Sequence, residues 1–259
     1  MAATFYLKGD SFTPFTYGCF ESSCFPGEKG TNSIDVDATS ITGSVINLDQ
    51  GATTFHTLMY PGLDNLPTGA AVSVVIRAKF GSTGVSRGLW SWQGYGEREY
   101  NLNEYAINSG NTGAFYATNQ TGATALKPLA GATGVGTTAW HDLCFTWDGS
   151  TTANKMQLWV DGSTIAQGTA SNAQTSHDRE IIGHIYIGAA PQINILGTRM
   201  LVDEFAIFDT EIDPATDGLD GATRTDSLET IYSITQTSSG GGGGGGGSSF
   251  GLGGTGFIR

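Results

Sequence analysis

The feature that leaves this chain the fewest folds is a run of strand-like alternation between Ala139 and Phe208. Side chains at i and i+2 share one face of a strand, so the pattern can be read residue by residue. Leu143, Phe145 and Trp147 fall on one face, Met156, Leu158 and Val160 on another, Ile185 and Ile187 on a third. Leu201 to Phe208 closes the set, and its adjacent Asp203 and Glu204 are expected on opposite faces. Asp148-Gly149 and Asp161-Gly162 supply residues that accept positive φ where a twisted antiparallel pair turns back. The segments 143–147 and 156–160 therefore read as neighbouring antiparallel strands, and Phe145, Leu158, Ile187 and Phe205 as core.

Upstream, Val72, Val74, Ile76, Ala78 and Phe80 line one face of a long strand, with Ser73, Arg77 and Lys79 opposite; the two cations are expected to solvate a convex sheet face. Ile34 and Val36, then Val45, Ile46 and Leu48, mark one or two strands, and residues 51–70 read as a connection containing Pro61, Gly62, Pro67 and Gly69. Ser227 to Tyr232 reads as one short helix.

The succession Trp140-His141-Asp142-Leu143-Cys144-Phe145-Thr146-Trp147-Asp148-Gly149, Leu158-Trp159-Val160-Asp161-Gly162, Ile185-Tyr186-Ile187-Gly188 and Val202-Asp203-Glu204-Phe205-Ala206-Ile207-Phe208 resembles the laminin-G-like branch of the concanavalin A-like jelly rolls. Weaker matches precede it in order at 45–48, 72–80 and 88–92. The resemblance implies an all-β fold, a two-sheet antiparallel jelly-roll sandwich. It fixes no ligand, because this fold carries lectins, adhesion modules, glycosidases and inert spacers alike.

The domain division expected is an irregular, aromatic-rich N-terminal arm over 1–30, the jelly roll over 31–235 and a Gly-rich C-terminal tail over 236–259. Phe5, Tyr6, Phe12, Phe15, Tyr17, Phe20 and Phe25 crowd the arm and call for burial, either on this molecule's own sandwich or on another subunit. Gly240 to Gly247 are all glycine, and the tail's apolar anchors for assembly contacts are Phe250, Leu252, Phe257 and Ile258.

Composition narrows the partners. The net charge of −12 comes without a Lys/Arg cluster that could follow a phosphate backbone, which argues against nucleic acid. No apolar run approaches the ~20 residues that span a bilayer, so no membrane insertion is expected. No basic start and apolar core mark a secretory signal at Met1 to Asp10. Either a signal has been removed or the export route is not used. Cys19 and Cys24 are close enough to pair; the other reading is three free thiols, Cys144 included, in a reducing compartment.

Catalytic groups are hard to assemble from this sequence. Glu97 and Glu99 could share a strand face, but 97–101 lacks the E-x-D-x-x-E spacing of the related glucanases. His56, His141, His177 and His184 are scattered, no G-x-S-x-G turn is present, and His141 follows Trp140 at a position that looks structural. No catalytic residue and no cofactor is assigned. Calcium fits the chemistry of Asp148, Asp161, Asp203 and Asp209, but each has a structural use in a turn, a backbone hydrogen bond or a strand end, so metal is left unassigned. Trp90, Trp92, Tyr95 and Tyr100 are the best concentration of sugar-stacking rings; Trp90 and Trp92 share a face that is either core or a stacking platform.

These features lead to an expectation of a non-enzymatic, oligomeric structural protein of a phage virion, a decoration protein, fibre or other appendage, whose jelly roll adheres to cell-surface glycans. The alternative is a secreted or cell-surface carbohydrate-binding or adhesion module.

Overall fold

The computed structural model describes residues 3–9, 17–18, 33–36, 40–48, 58–61, 71–80, 89–93, 103–107, 113–119, 124–131, 139–170, 184–187 and 200–234. In chain order these form β1 (Ala3–Lys8), β2 (Tyr17–Gly18), β3 (Ser33–Val36), β4 (Ser44–Asn47), β5 (Leu58–Pro61), β6 (Val72–Phe80) and β7 (Trp90–Gln93). They continue with β8 (Asn103–Ile107), β9 (Gly113–Asn119), β10 (Thr124–Gly131), β11 (His141–Trp147), β12 (Met156–Val160) and β13 (Ser163–Gly168). β14 (His184–Ile187), β15 (Met200–Phe208), a 3-10 turn at Gly221–Thr223 and one short helix, α1 (Leu228–Ile231), complete the set.

The larger sheet runs β13-β12-β11-β6-β15-β4-β3, with β1 also on β15. A second sheet runs β2-β5-β14-β7 and a third β10-β9-β8. Every pairing is antiparallel. The expected all-β antiparallel sandwich is the fold observed. Phe145 stands opposite Leu158 across β11 and β12, as the alternation requires.

β1 and β4 share one edge of β15: β4 pairs with Leu201 and Val202, β1 with Glu204 to Phe208. They meet end to end at Gly9, where any Cβ would collide with the Ser44 carbonyl. Part of the stretch expected to be an irregular arm, Ala3–Lys8, is thus a strand of the sandwich itself. The expected connection over 51–70 likewise contains β5, which pairs with β14. The helix expected near Ser227 is present, with the Ser227 side chain accepting from Thr230 N at its first turn.

Over β6, β11 and β15 both faces of the larger sheet are dry. On the inner face, Val72, Val74, Ile76 and Phe80 of β6 join Leu143, Phe145 and Trp147 of β11, Leu158 of β12, and Phe205 and Ile207 of β15. Trp90 of β7 closes this core from the second sheet, its ring edge-on to Phe205 with centroids 6.4 Å apart. Contacts of this kind hold the two layers together. The outer face carries Val75, Cys144, Trp159, Ala206 and Phe208, and the segment after β15 covers it with Ile212, Leu219, Leu228, Tyr232 and Ile234. That cover explains why Arg77 is not solvated as expected: it lies at 1% exposure, under residues 209–234 rather than in water.

Candidate functional site

The densest gathering of polar chemistry among the described side chains lies between the outer face and this covering segment. Its geometry begins with a bulge in β15. Val202 stands opposite Ala78 and Glu204 opposite Arg77, so Asp203 is the extra residue in the ladder. Val202 and Phe205, three apart, both face the inner core. Strict alternation cannot do that. The bulge therefore turns Asp203 and Glu204 to the outer side together, correcting the expectation that they face opposite ways.

Arg77 from β6 and Arg224 from the covering segment meet these carboxylates. Arg77 Nε lies 3.3 Å from Asp203 Oδ2, and its NH1 is 3.6 Å from Asp142 Oδ2. Arg224 forks onto Asp142, donating from Nε at 2.8 Å and from NH2 at 3.0 Å, while NH2 also reaches Glu204 Oε2 at 2.7 Å. Three carboxylates thus face two guanidiniums, and neutral donors stabilise the excess negative charge. Tyr6 OH donates to Glu204 Oε1 at 2.6 Å and Leu228 N donates to the same oxygen at 2.9 Å. Gly221 N donates to Asp142, and Ile41 N and the Thr42 hydroxyl donate to Asp203. Asp203 accordingly has the backbone-binding role that the sequence suggested.

Burial dominates the protonation of the cluster. It pushes the Asp142 and Glu204 carboxyls up, and Arg224 opposes both shifts. It also pushes the Arg77 guanidinium down, with Asp142 opposing. At Arg224 burial acts downward too, but Asp142 and Glu204 outweigh it and the guanidinium rises. Tyr6 is raised by burial and by Glu204. Every carboxyl here is 0% exposed, so no substrate reaches it, and the arrangement is structural chemistry that fastens a segment to a sheet.

A second clasp lies beside it. Asp161 and Gly162 turn β12 into β13 with φ of 51° and 70°, the left-handed pair that a two-residue hairpin uses. Asp161 Oδ2 is 2.7 Å from His141 Nδ1, and Oδ1 accepts from Asp142 N at 2.9 Å. This contact ties the His141 ring to the turn between β12 and β13. Asp148 caps its own turn, accepting from Ser150 N at 2.8 Å. Among the described residues, no group of three or more His, Cys, Asp or Glu side chains could hold a metal ion.

The stacking rings fare differently. Trp90 is 0% exposed, which settles its face as core at that position and removes it as a sugar platform. Trp92 lies in β7 in register with Ile185, but its side chain, like Tyr95 and Tyr100, lies outside the described residues. So do the side chain of Ile187, residues Glu97 and Glu99, Cys19 and Cys24, and the tail residues Phe250, Leu252, Phe257 and Ile258.

The ionic cluster itself was missed in the sequence. One signal could have found it: Arg224 is the only cation in residues 209–234, among seven acids.

A laminin-G family model, described as the concanavalin A-like lectin/glucanases superfamily, matches residues 51–216. The chain belongs to that superfamily. Domain 4 of AbnA, a GH43 extracellular arabinanase from Geobacillus stearothermophilus, solved in complex with arabinotriose, is similar with a TM-score of 0.53 and 15% identity. The match covers 85% of this chain and 98% of that one, and shows a shared concanavalin A-like fold. The CBM40 of a Ruminococcus gnavus IT-sialidase, bound to alpha2,3 sialyllactose, has a TM-score of 0.49 and 12% identity over 66% of this chain and 93% of that one. A carbohydrate esterase from the Shiga toxin-encoding bacteriophage phi24B has a TM-score of 0.44 and 16% identity over 69% and 86%. No curated protein sequence matches the chain.

Proposed function

We propose that this chain is a non-enzymatic carbohydrate-binding module carried on a larger assembly, with a phage virion as its setting. The observation that carries the reading is the arabinanase domain, a protein of the same fold that is matched over 98% of its length and that holds arabinotriose. The fate of the carboxylates supports the non-enzymatic part. A retaining glycosidase needs two reachable carboxyl groups ~5–5.5 Å apart. Asp142, Asp203 and Glu204, which the fold does bring together, are committed to Arg77 and Arg224 in the interior.

The sugar is assigned to Tyr95 and Tyr100, without Trp90, which is core, and without Trp92, which shares its strand face. Binding to an array of arabino-oligosaccharides and sialylated glycans tests this. Retention of at least one glycan, lost in Tyr95→Ala or Tyr100→Ala, is the expected result, with no sugar released on prolonged incubation. Release of reducing sugar that disappears in Glu97→Gln or Glu99→Gln would overturn the non-enzymatic reading.

The virion setting rests on the tail, where eight consecutive glycines precede Phe250, Leu252, Phe257 and Ile258. Glycine loses more backbone freedom on ordering than any other residue, so a partner that orders such a segment must hold it through those apolar side chains. Removing residues 240–259 should leave a folded domain that no longer joins the particle. The extracellular arabinanase domain favours a second reading, a secreted or cell-surface adhesion module. A fixed copy number in a purified particle would support the first reading, and recovery in a culture supernatant without particles the second.

A further inference from the structure

Residues 209–234 cross the outer face of the larger sheet without adding a strand to it. Their backbone hydrogen bonds close within the segment: Asp217 N to Asp213 O, Leu219 N to Pro214 O, Thr223 N to Asp220 O, Tyr232 N to Leu228 O, Ile234 N to Glu229 O. Among the described residues no backbone ladder joins it to the sheet. It is held by side chains instead. Ser73 Oγ accepts from Ile212 N and donates to the Thr210 carbonyl. Arg77 donates to the Gly221 carbonyl, Lys8 pairs with Glu229 at 3.0 Å, and Arg224 forks onto Asp142 and reaches Glu204.

We propose that residues 209–234 form a strap that opens as a unit while the β-sheets stay folded, with Arg224 as its latch. Detachment breaks no strand pairing. It also returns Asp142, Glu204, Arg77 and Arg224 to water together, relieving the desolvation that opposes their burial, so the latch is weaker than its short distances suggest. Local opening of this kind has a free energy that lies anywhere up to that of global unfolding. The chain runs from Ile234 directly into residues 235–259, so any load on the tail reaches the strap before it reaches the sheet. This proposal does not depend on what the module binds.

The fold contains its own reporter. Cys144 is 0% exposed beneath the strap, beside Phe208, Leu219 and Tyr232 in the outer cluster. In the full chain carrying Cys19→Ser and Cys24→Ser, it is the remaining thiol. Its labelling by an aromatic disulfide reagent is measured across a denaturant series, with global unfolding followed by circular dichroism on the same samples. A strap that opens alone gives labelling at low denaturant with a shallower slope than global unfolding, since less surface is exposed. Arg224→Met should speed this phase by roughly 100-fold or more, because Asp142 and Glu204 lose their buried partner. Should that variant fail to fold, Leu228→Ala, which loosens only the apolar cover, should speed it by roughly 10-fold or more. Leu158→Ala, on the inner face, should lower the global midpoint and leave the low-denaturant phase unchanged. Labelling that follows the global slope throughout, or strap variants that leave the rate unchanged, would overturn the proposal.

Discussion

At Asp161 one carboxylate ties the hairpin turn it sits in to the His141 ring and to the backbone of Asp142. Gly221 packs against it so closely that an added Cβ would collide with the carboxylate, and Gly221 itself has φ of 43°. Gly218 is a useful contrast, since its φ is 75° but open space surrounds it. Alanine at either position pays the left-handed backbone penalty of about 1–2 kcal/mol. Only Gly221→Ala adds a clash, with an oxygen that cannot yield without leaving His141 and Asp142. The expected outcome is that Gly218→Ala lowers stability by about 1 kcal/mol and Gly221→Ala by about 2–4 kcal/mol in chemical denaturation. Equal losses would mean that Asp161 moves aside. The Asp161-Gly162 turn was legible because turn chemistry is local. The collision with Gly221 was not, because nothing in either neighbourhood announces a contact 60 residues away.

Among the strands, β6, β11 and β12, whose apolar residues alternate, were read correctly, and β13, whose residues do not, was missed. β6, β11 and β12 each turn an apolar row to the inner core. β13, Ser163-Thr164-Ile165-Ala166-Gln167-Gly168, is mostly polar and carries exposed Ser163, Thr164 and Gln167, so its strand state comes from pairing with β12 rather than from its own pattern. The same holds for β15 at its bulge, where an extra residue shifts the alternation and no periodicity rule applied to the sequence alone can place it. Substitutions should sort by this distinction. Leu158→Ala, at 1% exposure in β12, removes core packing and should cost about 2–5 kcal/mol. Thr164→Ala on β13 should stay within about 0.5 kcal/mol, the range of a surface change. Thermal melts of the two variants check the register. A Leu158→Ala protein that melts like the wild type would mean that β12 faces the other way.

Over the whole molecule, the difference between what the sequence showed and what the fold uses lies on the outer face. The inner core is encoded by neighbours two apart, whereas the outer one joins Asp142 to Arg224 across 82 residues and Tyr6 to Glu204 across 198. Such pairs leave only isolated marks in the sequence, here a lone cation among acids. This sealed face makes stability depend on alkaline pH. Tyr6 and Tyr232 are both raised above the ordinary tyrosine value near 10, each first by burial; Glu204 adds to the shift at Tyr6, and Cys144 and then Asp217 add to it at Tyr232. With the folded pKa above the unfolded one, the native state keeps a proton that the unfolded chain has released. Stability is therefore fully present below about pH 10 and falls as pH rises from there toward the folded values. The net charge of −12 also grows more negative at high pH, so the slope needs a control. Tyr6→Phe with Tyr232→Phe removes both titrating groups and keeps both rings. It gives up the hydrogen bonds to Glu204 and Asp217, at about 1 kcal/mol each near neutral pH. The expected result in denaturant titrations from about pH 8 to about pH 11, roughly two units below the ordinary tyrosine value to one above it, is a double variant that is less stable at the lower end and loses less stability toward the upper end. Parallel curves would mean that water reaches both hydroxyls and that the strap does not seal the face it covers.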